Sequence, residues 1–224
     1  EWDEPWTTLH EPDGQVGRWF AGGRFNLTAS CVDRHIELRG DRPALFWEGE
    51  PGDRRQLTYR ELYDDMVLLA GALRGMGVGV GDRVALHLGW LPEAVTAMLA
   101  CARIGAIYTV LPTPLPAEAL AERLADFRPR VLFTQDGAWR HGTILPLKAR
   151  ADEALTAVGG VQHTVVVRRT GVDVAWYEGD RWLHDLVVGA RPGGAAPEEG
   201  RASLDPEHPV LAVQAAYQRG ETDE

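Results

Sequence analysis

Residues 83–111 read RVALHLGWLPEAVTAMLACARIGAIYTVL, and their pattern decides the fold. Arg83 to Leu88 is a short apolar run bounded by turn formers, which predicts a buried strand. Pro92 suits a first helical position, apolar residues recur at helical spacing through Arg103, and Gly105 supplies a left-handed stop. Ile107 to Leu111 is a second β-branched run. Strand, helix and strand in that order make a βαβ unit, whose strands run parallel with the helix across one face. Downstream the alternation continues: a helix from about Ala117 to Phe127, a strand from Arg130 to Thr134, a helix around Leu147 to Val158, and a strand from Gln162 to Val167. A short strand near Val174-Ala175-Trp176, a helix from Asp180 to Val188 and a last strand from Val210 to Val213 complete it. The reading is an α/β fold, a mostly parallel sheet flanked by helices.

Upstream, Thr58 and Glu61 have capping-box spacing before a helix with Leu62, Met66, Leu69, Ala70 and Leu73 on one side, stopping at Gly75 or Gly77. Ala44 to Trp47 and Gln56 to Tyr59, with Pro51-Gly52-Asp53 between them, predict a small β-hairpin. Asn26 to Leu38 has helical spacing and stops at Gly40. The first 25 residues, anchored by Trp2, Trp6, Trp19 and Phe20, show no sustained periodicity and are expected as an extended, Trp-rich arm on a larger body. The expected divisions are residues 1–40 for arm and helix, 41–190 for the α/β unit, 191–204 for a Gly/Pro/Ala linker, and 205–224 for the last strand and an acidic tail.

Length and composition suit a folded core. The 224 residues are 45% hydrophobic and 25% charged, enough to bury over two-thirds of the unfolded chain's roughly 36,000 Å². The balance of 23 basic against 33 acidic residues gives a net charge of −10, and no basic stripe interrupts it. Nucleic acid and anionic membrane surfaces are therefore poor partners. The longest uncharged stretch, Ile104 to Ala117, is too short to span a bilayer and contains three prolines. The N-terminus lacks a secretory pattern, and a cytoplasmic location is expected. Cys31 and Cys101 each fall inside a predicted amphipathic helix, where a thiol behaves as a small hydrophobe, so no disulfide framework is expected.

Most chemically suggestive groups have plain readings. The run Gly75 to Gly81 lies after a helix and before a strand, the reverse of a dinucleotide site, and reads as a turn. The seven histidines lack metal-ligand spacing. Asp33 and His35 cannot share a helix face, and His35 reads as core or interface. Ser30 and Ser203 lie outside any nucleophile elbow. Asp64-Asp65 and Glu198-Glu199 read as solvated charge.

Read in series, several segments resemble the N-terminal part of the AMP-forming acetyl-CoA synthetases, members of the adenylate-forming ligase superfamily. They are Trp19 to Asn26, Cys31 to His35, Trp47 to Gly52, Leu57 to Leu62, Gly81 to Ala85, Pro92 to Val95, Ala97 to Ala106, Pro146-Leu147-Lys148 and Val166 to Gly171. The resemblance implies a reaction of ATP, acetate and CoA giving acetyl-CoA, AMP and pyrophosphate, with ATP, Mg²⁺ and CoA as the family's ligands. It also implies a phosphate cradle, a Ser/Thr/Gly-rich loop ending in Lys, after a strand introduced by an acidic-Pro dipeptide. The introduction is present as Asp205-Pro206-Glu207-His208-Pro209 and the strand as Val210 to Val213. The cradle's place, about Ala216 to Glu224, has one Gly, no Lys and three carboxylates in its last four residues, a charge that repels triphosphate.

Two further departures concern CoA. Where the family has a Gly-Gly pair before Phe-Ser, this sequence has Thr113-Pro114 before Leu115-Pro116, which removes an N–H and crowds the approach. The family's Arg-x-Gly-Arg clamp stands as Arg140-His141-Gly142-Thr143, with the second arginine replaced. Arg140 is the one candidate binding residue, read either as a relic CoA-phosphate contact or as a surface arginine without a ligand. No catalytic or metal-binding residue is assigned, and no cofactor is expected for this chain alone. The expectation is an incomplete adenylating domain, catalytically incompetent by itself. The alternatives are an interaction module, pairing with itself or with a full-length acyl-CoA synthetase, and the product of a decayed or frameshifted gene.

Overall fold

The computed structural model describes residues 2–12, 16–189 and 200–214. The arm is more ordered than its aperiodic sequence predicts: β1 (Thr8–Glu11) and β2 (Arg18–Ala21) form an antiparallel hairpin. Aromatic packing organises it, the Trp2 ring lying 5.3 Å from Phe20 and 5.2 Å from Phe25. Bridges Glu4↔Arg24 and Phe25↔Leu204 stitch the arm down.

The helix expected over Asn26 to Leu38 is three pieces: α1 (Leu27–Cys31), a 3₁₀ turn (Asp33–His35) and α2 (Ile36–Arg39). Val32 leaves helical geometry at φ −126°, ψ −61°. That break lets Val32 bury and Asp33 reach Arg103 at 2.9 Å and Arg201 at 3.4 Å. It also corrects two expectations. Leu38 is exposed, and Cys31 is an exposed thiol at the end of α1, whereas Cys101 is buried. Asn26 caps α1, accepting from the Thr28 amide, while its Nδ2 donates to the Ala102, Arg103 and Ala202 carbonyls.

β3 (Pro43–Glu48) and β4 (Arg54–Thr58) form the expected hairpin. The capping box then starts α3 (Tyr59–Gly75): the Glu61 amide donates to Thr58 Oγ1 at 3.2 Å, and the Thr58 amide donates to Glu61 Oε2 at 2.8 Å. The glycine run is the turn from α3 into the sheet.

Next come β5 (Arg83–Leu86), α4 (Pro92–Ile104), β6 (Ile107–Val110), α5 (Ala117–Phe127) and β7 (Val131–Gln135). Gly105 takes φ 75°, the left-handed stop read from the sequence. A short hairpin, β8 (Ala138–Arg140) and β9 (Thr143–Leu145), was not foreseen; His141 and Gly142, both at positive φ, form its turn. α6 (Leu147–Ala157), β10 (His163–Val167), β11 (Asp180–Trp182) and α7 (Leu183–Gly189) follow. The five-stranded sheet has the order β11-β10-β7-β5-β6, all parallel.

Three edge expectations need correction. No strand forms at 174–176; β11 lies later and takes the residues expected to open the following helix, so α7 starts at Leu183. The cause is Lys148, fully buried on α6, which donates to the Ala175 carbonyl and pairs with Asp180 at 2.7 Å and with Asp152. Residues 175–180 wrap around that ammonium, with Trp176 and Tyr177 beside it. The strand expected at Val210 to Val213 reduces to a single parallel bridge, Leu211↔Tyr108. Of the expected linker and tail, residues 191–199 and 215–224 lie outside the described residues.

Apolar side chains pack on both faces of the sheet. Leu69 and Leu73 of α3, Cys101 and Ile104 of α4, and Val84, Leu86, Val131, Phe133 and Val165 of the sheet fill one side. Leu120, Leu124 and Phe127 of α5, with Ala151 and Ala154 of α6, meet Ala85 and Leu132 on the other.

Candidate functional site

In an open parallel sheet, ligands bind outside the carboxyl ends of the strands, where the strand order reverses. Here β5 comes first in the sheet and has β6 on one side and β7 on the other, so the reversal lies between β5 and β7. Gln135, buried at the end of β7, spans that point: its Oε1 accepts from the Gly89 amide at 2.7 Å and its Nε2 donates to the Gly137 carbonyl at 2.7 Å. The crevice is closed by this amide bridge.

Asp136 organises the neighbouring loop. Its buried carboxylate accepts from the amides of Gly137, Arg169, Thr170 and Gly171, at 2.6–3.0 Å. That fixes the exit from β10 and aims Arg169 at Asp53, which it holds through two bonds of 2.8 and 2.9 Å while lying over the Trp47 ring. The Arg169 guanidinium holds the Asp53 carboxyl below its usual range. Trp47 in turn donates through Nε1 to the Trp90 carbonyl. The hairpin β3–β4 is thereby locked to the rim of the sheet.

His87 lies just past β5, wholly buried, its ring nitrogens without a well-aligned hydrogen-bond partner and only the Thr113 backbone close by. Burial pushes its pKa down to about 4, so it is a neutral imidazole near neutral pH. Continuing the register Leu86↔Phe133 by one residue sets it beside Thr134, whose buried hydroxyl also lacks a partner.

The two departures singled out from the sequence leave the sheet at this same edge but from different strands. Thr113-Pro114 follows β6, in a turn where the Leu115 amide donates to the Pro112 carbonyl at 3.3 Å; Pro112, Pro114 and Pro116 are exposed. Arg140 ends β8, beyond β7, so β5 stands between the strands that carry them. The Arg140 side chain is exposed, and its carbonyl accepts from Thr143 Oγ1 at 2.8 Å. At the same hairpin the Gly142 amide donates to Glu50 Oε1 at 2.7 Å, which brings a carboxylate to the turn next to Arg140. One exposed cation with an acid at the same turn is a weak phosphate site. Among the described residues, no group of three or more His, Cys, Asp or Glu side chains could hold a metal ion. The described residues therefore offer no fit for Mg²⁺-ATP.

Sequence reasoning missed Gln135, Asp136 and the placement of His87. A signal existed in Thr134-Gln135-Asp136-Gly137, polar residues directly after a buried strand, but their role depends on which strands become neighbours.

The comparisons with known proteins agree with the fold and extend it. A family profile described as AMP-binding enzyme matches residues 32–211. The acetyl-coenzyme A synthetase of Mycobacterium tuberculosis (strain ATCC 25618 / H37Rv) is 44% identical over 225 residues, covering 98% of this chain and 34% of that protein. Acetyl-coenzyme A synthetase 2 of Pseudomonas putida is 42% identical over 210 residues, covering 92% and 32%. Among solved structures, the acetoacetyl-CoA synthetase from Streptomyces lividans superposes with a TM-score of 0.83 at 25% identity, over 94% of this chain and 31% of that one. The chain thus spans about a third of the length of the curated relatives it matches.

Proposed function

The chain belongs to the AMP-binding enzyme family, and from that membership we propose that it is the front portion of the adenylating domain of a short-chain acyl-CoA ligase. The reaction it would serve has two steps. An acetate oxygen attacks the α-phosphorus of ATP, the bond to the β-phosphate oxygen breaks, and pyrophosphate leaves with the electron pair. The CoA sulfur then attacks the acyl carbon of the adenylate, AMP departs, and the thiol proton is released. Both steps need preorganised positive charge around the transferring groups.

On this reading the described residues do not supply that charge. The observation that carries this reading is the stretch after Asp205-Pro206: an unmistakable lead-in followed by Tyr-Gln-Arg-Gly-Glu-Thr-Asp-Glu, without lysine, where a phosphate loop belongs. On this reading the isolated chain is a folded pseudoenzyme, cytoplasmic like a metabolic ligase. Equilibrium dialysis against Mg²⁺-ATP and against CoA tests it. Retention of neither ligand at millimolar concentration is expected, and stoichiometric ATP binding lost on substitution of the chain's own residues contradicts it.

A second reading has its own observation. Trp6, Trp19 and Trp90 are all exposed, an unusual outlay of large apolar side chains for a free surface. The chain would then act as an interaction module, pairing with a synthetase or with itself. Co-purification from cells expressing a full-length synthetase supports this reading, and a clean monomer in size exclusion counts against it. A decayed gene differs from both in its DNA: a Ser/Thr/Gly-Lys loop in another frame downstream of the codon for Ala215 would mark it.

A further inference from the structure

Of the 23 lysine and arginine residues only Lys148 is a lysine, although lysine is ordinarily among the commonest residues. The difference is chemical as well as electrostatic. A guanidinium stays protonated in proteins and does not attack acyl groups, whereas a lysine amine can give up its proton and is the side chain that acylation targets. The chain therefore carries a single side-chain amine, and it is fully buried.

What hides that amine is thin. Lys148 pairs with Asp152 one turn along α6, with Asp180 at 2.7 Å, and donates to the Ala175 carbonyl at 3.3 Å. The rings of Trp176 and Tyr177 have their centroids 5.9 and 5.3 Å from Nζ, yet these side chains are 45% and 59% exposed. Among the described residues, every polar or ring contact that Nζ makes outside α6 thus comes from residues 175–180. Residues 171–177 have no regular secondary structure, and β11 after them is a three-residue edge strand. Its ties are few: the Tyr177 amide donates to Asp180 Oδ2 at 2.9 Å, and the Thr164 amide donates to the Gly179 carbonyl at 3.1 Å. A short edge with exposed side chains opens locally at a lower free energy than the whole chain unfolds.

We propose that Lys148 is a modification site gated by the opening of residues 175–182, accepting an acyl group from a thioester or an acyl phosphate only while that segment is lifted away. The proposal does not depend on the function proposed above, which would supply such donors nearby. In the open state one proton leaves the ammonium for solvent, and the freed nitrogen pair attacks the acyl carbon. The bond from that carbon to sulfur or to phosphate oxygen breaks, the leaving group takes the electron pair, and a second nitrogen-bound proton is released. The product is a neutral amide. Asp180 and Asp152 then have no cation between them, so the segment cannot close as before. The modification therefore records the opening.

The test is incubation of the 224-residue chain with acetyl phosphate and, in parallel, with acetyl-CoA, both in buffer and in unfolding urea. Excess thiol then clears any acyl group from the exposed Cys31, and mass spectrometry reads the acetyl content of the peptide holding Lys148. The folded chain should react about 100 to 10,000 times more slowly than the unfolded one, with the same ratio for both donors, because the opening equilibrium sets it. Tyr177→Ala, which uncovers the ammonium at an exposed position, should raise the folded-chain rate about fivefold or more. Asp180→Asn should do the same by removing a charge partner, and Leu38→Ala, exposed on α2, should leave the rate unchanged. Acetylated chain returned to buffer should be cut by chymotrypsin at Trp176 and Tyr177 about tenfold faster than unmodified chain. A ratio outside that range, a folded-chain rate that climbs with urea as steeply as whole-chain unfolding, or an acetylated chain as resistant at 176–177 as before each overturns the proposal.

Discussion

Asn26 shows how much one side chain can fix. It is wholly buried, caps α1 and ties the ends of α4 and of residues 200–204 together through its amide nitrogen. Asn26→Asp replaces that donor by a charged acceptor facing three carbonyls. A loss of about 3 kcal/mol or more is expected in urea unfolding. His87 makes a pH-dependent prediction. Its folded pKa, about 4, is below the ordinary histidine value of 6.5, so the unfolded state takes up the proton first. The stability it contributes is complete above about pH 6.5 and is lost as pH falls toward 4, on the order of 3 kcal/mol in total. A hydrogen bond with the Thr113 backbone partly offsets that burial, and the Arg150 charge disfavours the imidazolium by a smaller amount. His87→Leu should therefore lose less stability between pH 7 and pH 5 than the parent, as read from unfolding midpoints at both values. Parallel losses would show that the imidazole does not titrate as described.

Among the elements, the cleanly legible ones were those whose local signals agree. The capping box before α3 and Pro92 and Gly105 around α4 could be read because start, period and stop coincide, whereas α5 was legible from its period, with no side-chain cap at Pro116 and Arg128 taking the left-handed end. Thr58→Ala should cost α3 about 1 kcal/mol, measurable as a lower thermal midpoint. The elements misread were governed by distant partners. Nothing local in Val174-Ala175-Trp176 tells that its path follows a buried ammonium on α6, and nothing in Cys31-Val32-Asp33 tells that Asp33 leaves the helix to meet Arg103. Lys148→Met tests the first of these. It strands Asp180 and Asp152, and burial already raises the Asp152 carboxyl despite the lysine beside it. A loss of about 3–5 kcal/mol is expected, whereas Arg54→Ala, which breaks an exposed pair with Glu48, should change stability by less than about 0.5 kcal/mol.

Across the whole molecule, strand–helix alternation announced the sheet, but the strand order and the place of its reversal did not follow from it. For the same reason the rim was only half legible. Thr113-Pro114 and Arg140 were picked out by resemblance, while Gln135 and Asp136, which close and brace the reversal point, gain meaning only once β5 and β7 are neighbours. What results is a well-packed sheet with its rim locked to the hairpin β3–β4. It has the architecture of a ligase's front portion, and the stretch expected to hold nucleotide phosphates, about Ala216 to Glu224, lies outside the described residues. Acetate-dependent exchange between ATP and pyrophosphate, measured on the purified 224-residue chain, addresses this most directly, because it reports adenylate formation without requiring CoA. Exchange indistinguishable from a protein-free control is predicted. Exchange that requires acetate and disappears when the chain's own residues are substituted would contradict the account.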